Sequence, residues 1–384
     1  MLQVADSVTV RPVASKADRK AFLRLSYDLY RGDPAWRPPL RLERAMQLDP
    51  KHNKLMSDVD ATLFLAEQGG KPVGRIAAFT HALHERKHST DDGFFGFLDT
   101  VPDSRVGEAL LAAAEDELRR RGKTRAFGPK QWSVNEEVGC LVEGFEHPNV
   151  LLMPFTQPHV KELLERQGYA KAVDMLAFQA ALHDGYPRPL MTRKMVELSR
   201  TDPRLRFRDL DRRGFKSEVE RAMAIYNDAW ADNWHAIPYT PEQVAALAGE
   251  LRPLMFNGGF RFAELDGEPV AFGVMLPDLL EAVRDADGRL TPVTAAKALS
   301  RILGKRVRQA RIPLMGLKRE HHNTKLGLAA VARICEDLFA AGRDRGFTHC
   351  ELSWILEDNR SMIRIAEQAS AVPYKRYRMY GKAL

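Results

Sequence analysis

The apolar and polar positions of the chain follow the same order of patterns twice. Residues 64–73 alternate around a glycine turn and predict a β-hairpin, and residues 261–270 repeat that pattern at an offset of 197 residues. Apolar residues at helical spacing then predict a long helix over 107–121 and a counterpart over 327–345, each ending in Arg-Gly. The shared order of elements favours a duplication over a chance match.

Each half continues in the same way after its long helix. A strand and a shorter helix are predicted at 124–128 and 158–167 in the first half, and at 349–355 and 359–368 in the second. A hairpin followed by alternating strands and helices is typical of an α/β lobe with a mixed sheet. We therefore predict an α/β (α+β) protein of two lobes, each a mixed, mostly antiparallel sheet flanked by helices.

The lobe boundaries follow from composition and from the offsets between the two repeats. We place the N-terminal lobe at 1–185, a linker rich in proline and charge at 186–204, and the C-terminal lobe at 205–384. The offset grows to 224 residues by the ends of the long helices, which indicates a helical insertion in the second lobe at about 277–308.

Composition places the chain among ordinary folded proteins. Of its 384 residues, 45% are hydrophobic and 28% are charged. Its three cysteines lie far apart, so neither a disulfide framework nor a structural zinc site is expected. The sequence shows no secretory signal and no apolar stretch of about 18 residues, and we expect a cytoplasmic protein.

Positive charge is concentrated at the end of the chain. The net charge is +7, but residues 295–384 hold 18 Lys+Arg against 8 Asp+Glu, whereas the first 294 residues hold 40 against 43. Because net charge governs partners rather than fold, this region predicts an anionic ligand or an anionic membrane surface. Nucleic acid is not favoured, since no aromatic-rich basic motif accompanies the charge.

Several motifs carry a resemblance to a known family. Residues 313–328 (PLMGLKREHHNTKLGL) and 351–359 (ELSWILEDN) resemble the acyl-CoA-binding segment and the following strand of the GNAT superfamily of N-acyltransferases. Nearly the whole chain is similar to a two-lobed bacterial GNAT-like family to which bacterial ceramide synthase is related. The further matching segments are 33–39, 73–78, 93–97 and 374–380.

The resemblance implies that the C-terminal lobe binds acyl-CoA at the start of its long helix. The unpaired N–H groups of a helix N-terminus suit a pyrophosphate. The GNAT pattern Arg/Gln-x-x-Gly-x-Gly/Ala falls on His322, Lys325 and Gly327, of which Gly327 alone fits well. Lys325 either turns outward and adds a cation or impairs the site, and an ordinary helix start without ligand is the alternative. The implied cofactor contacts are Leu317, Lys318, His322, Asn323, Thr324, Lys325, Leu326, Gly327, Leu328 and Asn359.

The N-terminal lobe is predicted to be degenerate for CoA. Asp99 and Asp103 would repel phosphate there, and Ser104 is expected to cap the helix. This lobe is instead expected to shape the acceptor site. The predicted substrate-binding residues are Trp132, Asn135, Glu136 and, in the other lobe, Trp354, although a solvated loop explains 128–137 equally well.

Amide formation needs a base for the amine and an acid for the thiolate. Glu357, at a strand end, is the first candidate for the base, followed by His321 and Glu320. The tyrosine acid of many GNAT enzymes falls on Ala366, so Tyr374 and Tyr377 are the possible replacements, and both could equally be core aromatics.

The predicted insertion carries a basic amphipathic helix. Lys297, Arg301, Lys305 and Arg308 share one face, and the other face carries Leu299, Ile302, Leu303 and Val307. Such a helix either packs on its own lobe or lies on an anionic membrane. His81, His84 and His88 could share a helical face, but no metal is expected without a further ligand.

These observations lead to one function hypothesis and two alternatives. The hypothesis is acyl-CoA-dependent N-acyl transfer, with a long acyl chain passing to a sphingoid-type or other lipid amine. The first alternative is acetyl transfer from acetyl-CoA to a small soluble amine or a protein. The second is a CoA-binding or scaffold protein without catalysis, which the residues at Lys325 and Ala366 keep open.

Overall fold

The computed structural model describes residues 7–182 and 189–384. The strands are β1 (Thr9–Pro12), β2 (Val59–Gln68), β3 (Lys71–His81), β4 (Asp92–Thr100), β5 (Arg125–Gly128), β6 (Cys140–Glu143), β7 (Ala170–Ala181), β8 (Leu205–Asp209), β9 (Phe260–Leu265), β10 (Glu268–Pro277), β11 (Gln309–Leu317), β12 (His349–Leu356) and β13 (Val372–Ala383). The helices are α1 (Lys16–Leu29), α2 (Arg41–Gln47), α3 (Ala82–Lys87), α4 (Ser104–Arg120), α5 (Pro158–Arg166), α6 (Leu190–Thr201), α7 (Phe215–Ala229), α8 (Pro241–Leu251), α9 (Leu279–Ala282), α10 (Pro292–Leu303), α11 (Lys325–Arg345) and α12 (Arg360–Gln368). Among the described residues, no helix is both long and apolar enough to cross a membrane.

The chain forms two compact units. The first unit comprises the residues up to Asp174, with Arg284–Thr291 and Lys375–Leu384; the second comprises Met175–Val283 and Pro292–Tyr374. These units differ from the predicted lobes 1–185 and 205–384, because β7 and β13 each contribute residues to both. Helix α6 lies within the predicted linker 186–204, of which residues 186–188 fall outside the described residues. The stretch 277–308 contains the helices α9 and α10.

The first unit is built on a sheet in the order β1-β2-β3-β4-β5-β13, and β6 pairs with β13. Neighbouring strands are antiparallel except β4 and β5, which are parallel. Leucines of α4 pack in one core cluster of this unit, and Phe22 of α1 packs with Trp132 in another. Asp103 is the N-cap of α4, since its side chain accepts a hydrogen bond from the Arg105 N–H. The predicted N-cap, Ser104, is instead the first residue of the helix.

The second unit repeats this plan with a sheet in the order β7-β12-β11-β10-β9-β8. Among the described strands of this unit, β11 and β12 are parallel and the other neighbours are antiparallel. Ile334 and Leu338 of α11 pack over Gly273 of β10. The neighbouring Phe272 points to the other sheet face, where it lies with Ile225 of α7 around Gly316. The predicted mixed, mostly antiparallel sheets flanked by helices are therefore confirmed.

Lys130 is a buried lysine in the first unit. Its side chain is among the least exposed charged groups, and its Nζ lies 3.4 Å from the centroid of the Phe94 ring. Burial lowers the pKa of Lys130 to about 7, although the charge of Asp92 opposes this shift. The folded state therefore releases a proton that the unfolded chain still binds between about pH 7 and 10.5.

We expect Lys130→Met to increase the free energy of unfolding at pH 7 by about 2–4 kcal/mol, because each pKa unit corresponds to about 1.4 kcal/mol. The contribution of Lys130 to stability becomes less unfavourable as the pH rises, so the difference between variant and parent should shrink at pH 9.5. Urea unfolding of the variant and the parent at pH 7 and pH 9.5 measures this difference in the free energy of unfolding. Lys51→Met, at an exposed lysine, is the matched control, and a difference that does not change with pH would contradict the assignment.

Candidate functional site

An opening between two parallel strands forms the candidate site of the second unit. Strands β11 and β12 pair only from Gln309 opposite His349 to Ile312 opposite Leu352, and then separate. A cavity of about 230 Å³ lies where they part, with walls from the later residues of both strands. The register of β12 on β7 also shifts between Leu352 and Ile355, so β12 is bulged beside the cavity.

The inner wall of the cavity is apolar. Helix α11 contributes Val331, Cys335 and Phe339, and α12 with the residue after it contributes Met362, Ile365, Ala366 and Ala369. The ring of Trp354 meets Trp230 edge-on, with 5.3 Å between ring centroids. The indole N–H of Trp230 donates to the Met315 carbonyl, 3.1 Å away, on the separated strand. An elongated apolar group fits this wall better than a polar one.

The mouth of the cavity lies beside the first turn of α11. Thr324 caps this helix: its Oγ1 accepts from the Gly327 N–H at 3.0 Å and donates to the His321 carbonyl at 2.9 Å. Helix geometry leaves the backbone N–H groups of Lys325 and Leu326 without intrahelical acceptors. Together with the helix dipole, these groups suit an anion such as a phosphate.

Gly327 has a structural reason to be glycine. A Cβ at this position would lie 2.2 Å from the carbonyl oxygen of His321, inside the loop that precedes the helix. That loop is held closed by His322, whose Nε2 lies 2.8 Å from the Leu317 carbonyl oxygen. The glycine that fits the GNAT pattern thus allows the loop to pack against the helix.

Two cations of this loop differ in their surroundings. Arg319 forms ion pairs with Asp228 at 3.2 Å and with Asp232 at 2.9 Å. The side chain of Lys325 is exposed and does not belong to the cavity wall among the described residues. The Lys325 side chain therefore does not fill the opening, as the first of the two alternatives for Lys325, an outward orientation, requires.

The structure brings several predicted cofactor residues to the cavity. Leu317, His322, Asn323, Leu328 and Asn359 lie in its wall, and so does the predicted substrate residue Trp354. Asn359 also caps α12 by accepting from the Met362 N–H at 3.1 Å. The loop and first turn beside the mouth contain the remaining predicted residues: Lys318, Thr324, Lys325, Leu326 and Gly327.

The predicted catalytic residues are placed differently. Neither Glu357 nor His321 belongs to the cavity wall within the part of the chain that the structure describes, and His321 Nε2 lies 3.5 Å from Glu320. Tyr374 donates its hydroxyl to Glu351 in the second unit. Tyr377 belongs to the first unit, where it is fully buried in β13 opposite Leu141 of β6. This burial agrees with the alternative that Tyr377 is a core aromatic residue.

A buried polar cluster beside the cavity was not predicted. Glu351 is fully buried on β12 and accepts hydrogen bonds from Ser353 and Tyr374. Arg311 faces it from β11: its Nε lies 3.7 Å from Glu351 and donates to Ser353 Oγ at 2.9 Å. The available signal was a charged residue at the third position of each of two mostly apolar strands.

The corresponding opening of the first unit is filled by its own chain. Strands β4 and β5 pair only as far as Phe94 and Phe127. Residues 129–139 then fold back beside β4: the Lys130 N–H donates to the Phe95 carbonyl at 3.0 Å, and the Gly139 N–H donates to Pro129 at 2.8 Å. A cavity of about 80 Å³ remains, walled in part by the ion pairs Arg44–Glu137 and Arg75–Asp99.

This filling segment contains the other predicted substrate residues. Trp132 is fully buried and donates its indole N–H to Gln47 at 2.8 Å, so it is a core residue rather than part of a cavity wall in the described structure. Burial raises the pKa of Glu136 to about 8, and its Oε1 accepts from Asn53 at 3.1 Å. Asn135 is partly exposed, and its N–H donates to Ser133 Oγ at 3.0 Å.

Comparison with curated proteins finds relatives along the whole chain. It is 38% identical over 378 residues to bacterial ceramide synthase of Caulobacter vibrioides, covering 98% of both chains. It is 35% identical over 375 residues to protein YghO of Escherichia coli, covering 98% of this chain and 95% of that protein. No family model matches the chain.

Solved structures share its fold at low sequence identity. A tandem GNAT protein from the clavulanic acid biosynthesis pathway matches with a TM-score of 0.57 and 13% identity, covering 98% of both chains. A GCN5-related N-acetyltransferase from Sphaerobacter thermophilus matches with a TM-score of 0.51 and 13% identity, covering 98% of this chain and 95% of that one. These matches confirm the predicted tandem GNAT fold.

Proposed function

This chain belongs to the family of bacterial ceramide synthase and YghO, with a tandem GNAT fold, and from that premise we propose that it is an acyl-CoA-dependent N-acyltransferase. The acyl group is a long chain, and the acceptor is a lipid amine of the sphingoid type. The relatives support the reaction class, and the apolar cavity of the second unit supports the choice of acyl group.

The volume of the cavity supports a long acyl chain over an acetyl group. A cavity of about 150 Å³ lined by aliphatic and aromatic groups holds the six carbons of benzene, so one of about 230 Å³ has room for about nine carbons. This room is shared by the inner end of the pantetheine, along β11, and the first part of the acyl chain, between α11 and α12. An acetyl group would leave the part between α11 and α12 empty. Among the described residues that form the inner wall, none offers a charged side chain to a shorter polar substrate.

The same geometry supports an orientation for the cofactor. The pyrophosphate would bind at the N-terminus of α11, where Lys318 and Lys325 add positive charge. The pantetheine would follow the separated edge of β11 from Leu317 to Pro313, a path of roughly 13 Å at the usual rise of a strand. The thioester would then lie near Ser353, with the acyl chain between α11 and α12.

Transfer forms a C–N bond and breaks the C–S bond, and a proton passes from nitrogen to sulfur. A backbone N–H on the separated strand can polarise the thioester carbonyl. Glu357 and His321 stay proposed bases for the incoming ammonium group, which must lose one proton before it can attack, since each adjoins the mouth in sequence. Tyr374 acts in this proposal through Glu351, to which it donates.

One assay tests the proposed reaction against its alternatives. The purified protein is given acetyl-, octanoyl- or palmitoyl-CoA with sphinganine or with a small soluble amine, and the released thiol and amide are measured. We expect equimolar thiol and long-chain amide with sphinganine. Faster acetyl transfer to the soluble amine would favour the acetyltransferase alternative, and acyl-CoA binding without any turnover would favour the non-catalytic one.

We also propose that α10 docks on an anionic membrane, from which a lipid amine could be taken. Val293, Leu299 and Leu303 are 64%, 55% and 70% exposed, and the apolar face that they form is flanked by the exposed cations Lys297 and Arg306. Such a face fits the boundary between headgroups and acyl chains. The helix ends at Leu303, so the predicted helical face is wrong beyond that residue: Lys305, Val307 and Arg308 lie after the helix, and Val307 is buried. Arg301 points inward and donates to the Ala282 carbonyl at 2.9 Å.

Co-sedimentation with phosphatidylglycerol-containing vesicles tests this surface. We expect the variant Leu299→Ser/Leu303→Ser to lose about 10-fold or more in vesicle affinity, because each buried methylene contributes about 0.8 kcal/mol. Leu42→Ser changes a leucine that is 72% exposed on α2 and is the matched control. Equal binding by all three proteins, or none by the parent, would contradict docking through α10.

A further inference from the structure

We infer that Glu351 serves as the proton store of the transfer reaction and that Ser353 connects it to the reacting atoms. This inference rests on the proposed function and names a proton path for it. Ser353 is the catalytic residue in this arrangement, whereas Glu351, Arg311 and Tyr374 are positioning residues that act through it.

The first support is the hydrogen bonding of Glu351. Its side chain is fully buried, and each of its oxygens accepts from a hydroxyl: Oε1 from Ser353 and Oε2 from Tyr374. Arg311, itself buried, lies 3.7 Å away and supplies the opposite charge. The carboxylate is thus oriented by these three side chains without contact with solvent.

The second support is the position of Ser353. It lies in the cavity wall one residue beyond Leu352, where β11 and β12 stop pairing. The register shift of β12 on β7 falls on Ser353 and Trp354, and a bulge changes the direction of the side chains it contains. Ser353 therefore joins the buried carboxylate to the part of the opening where the thioester is proposed to lie.

The third support is energetic. Burying an ion pair is usually no more stabilising than filling the same volume with apolar side chains, because both charges lose their hydration. The surrounding wall is apolar, so a stable core alone would not call for Arg311 and Glu351 at this place. A proton that moves during the reaction does explain this pair, since the carboxylate can accept the proton and return it within one turnover.

The step balances with no further reactant. Attack of the neutral amine forms the C–N bond and leaves a positive charge on nitrogen. Ser353 accepts a proton from that nitrogen while its own proton passes to Glu351. The C–S bond then breaks, and the proton returns from Glu351 through Ser353 to the thiolate. The products are the amide and free CoA, and Glu351 is ionised again.

Single-turnover kinetics on four variants tests the path. We expect Ser353→Ala to lower the transfer rate about 100- to 10,000-fold, the usual contribution of positioned proton transfer, with the Kd for octanoyl-CoA within twofold of the parent. Ser353→Thr keeps the hydroxyl and should recover at least a tenth of the parent rate. Ser353→Ala/Glu351→Gln should be no slower than Ser353→Ala, because the two residues act as one unit. Ser300→Ala on the exposed face of α10 is the matched control.

Two results would overturn the inference. One is a folded Ser353→Ala with the parent rate; the other is a Ser353→Thr as slow as Ser353→Ala. If the double variant Ser353→Ala/Glu351→Gln fails to fold, as thermal unfolding would show, the comparison of Ser353→Ala with Ser353→Thr still tests the inference. A parent protein without turnover would instead contradict the proposed function, so the two failures are distinguishable.

Discussion

Replacement of Ala366 by phenylalanine is expected to abolish transfer of octanoyl and longer chains while acetyl transfer persists. Ala366 is 1% exposed and lies in the cavity wall on α12, so an added ring would occupy the space proposed for the acyl chain. Octanoyl carries six methylenes more than acetyl, and at about 0.8 kcal/mol each their lost burial corresponds to about 3,000-fold in kcat/KM. Steady-state assays with the two thioesters measure the ratio.

The acetyl reaction of the same variant is the internal control for folding. Overpacking a core costs roughly 1–3 kcal/mol, which thermal unfolding would show separately. Ala245→Phe, at an exposed alanine of α8, is the matched control and should leave both reactions unchanged. A folded Ala366→Phe variant that still transfers octanoyl at the parent rate would show that the chain binds elsewhere.

The second large effect is expected at the mouth of the cavity. Lys325→Glu should raise the Kd for CoA about 100-fold, because it removes a cation and adds an anion where the pyrophosphate is proposed to bind. The same change should keep or increase the free energy of unfolding, since a carboxylate at a helix N-terminus is favoured by the helix dipole. Opposite effects on affinity and stability separate a lost binding site from a damaged fold.

Calorimetry at low and high salt measures this second effect. The affinity difference should shrink at 1 M salt, where charges are screened within about 3 Å. Lys297→Glu makes the same change of charge on α10 of the same unit and should leave the Kd nearly unchanged. Equal losses from both variants would indicate a general electrostatic effect rather than a site at α11.

The repeat, the mixed sheets and the family could be predicted from the sequence because they depend on local patterns. The hairpin 261–270 and the long helix 327–345 correspond to β9–β10 and α11. The family resemblance also placed Trp354 and Leu328, which both lie in the cavity wall. Side chains carried by one continuous motif could be assigned because their neighbours in space are also their neighbours in sequence.

The remaining features depend on contacts between distant segments. The Arg311–Glu351 pair exists because two strands lie in parallel register, which no local pattern specifies. Trp132 follows a strand in a polar segment, yet it is a core residue because residues 129–139 fold back beside β4. The division of β7 and β13 between two units is likewise a property of strand pairing.

The central claim is that an acyl chain occupies the cavity between β11 and β12. The most direct test is the Kd of octanoyl-CoA compared with that of acetyl-CoA, measured by calorimetry on the parent protein. Binding of octanoyl-CoA at least about tenfold tighter, with the advantage lost in Ala366→Phe, is the predicted result, because extra methylenes gain from leaving water only if they are buried. Equal affinities for the two thioesters in the parent protein would contradict the claim.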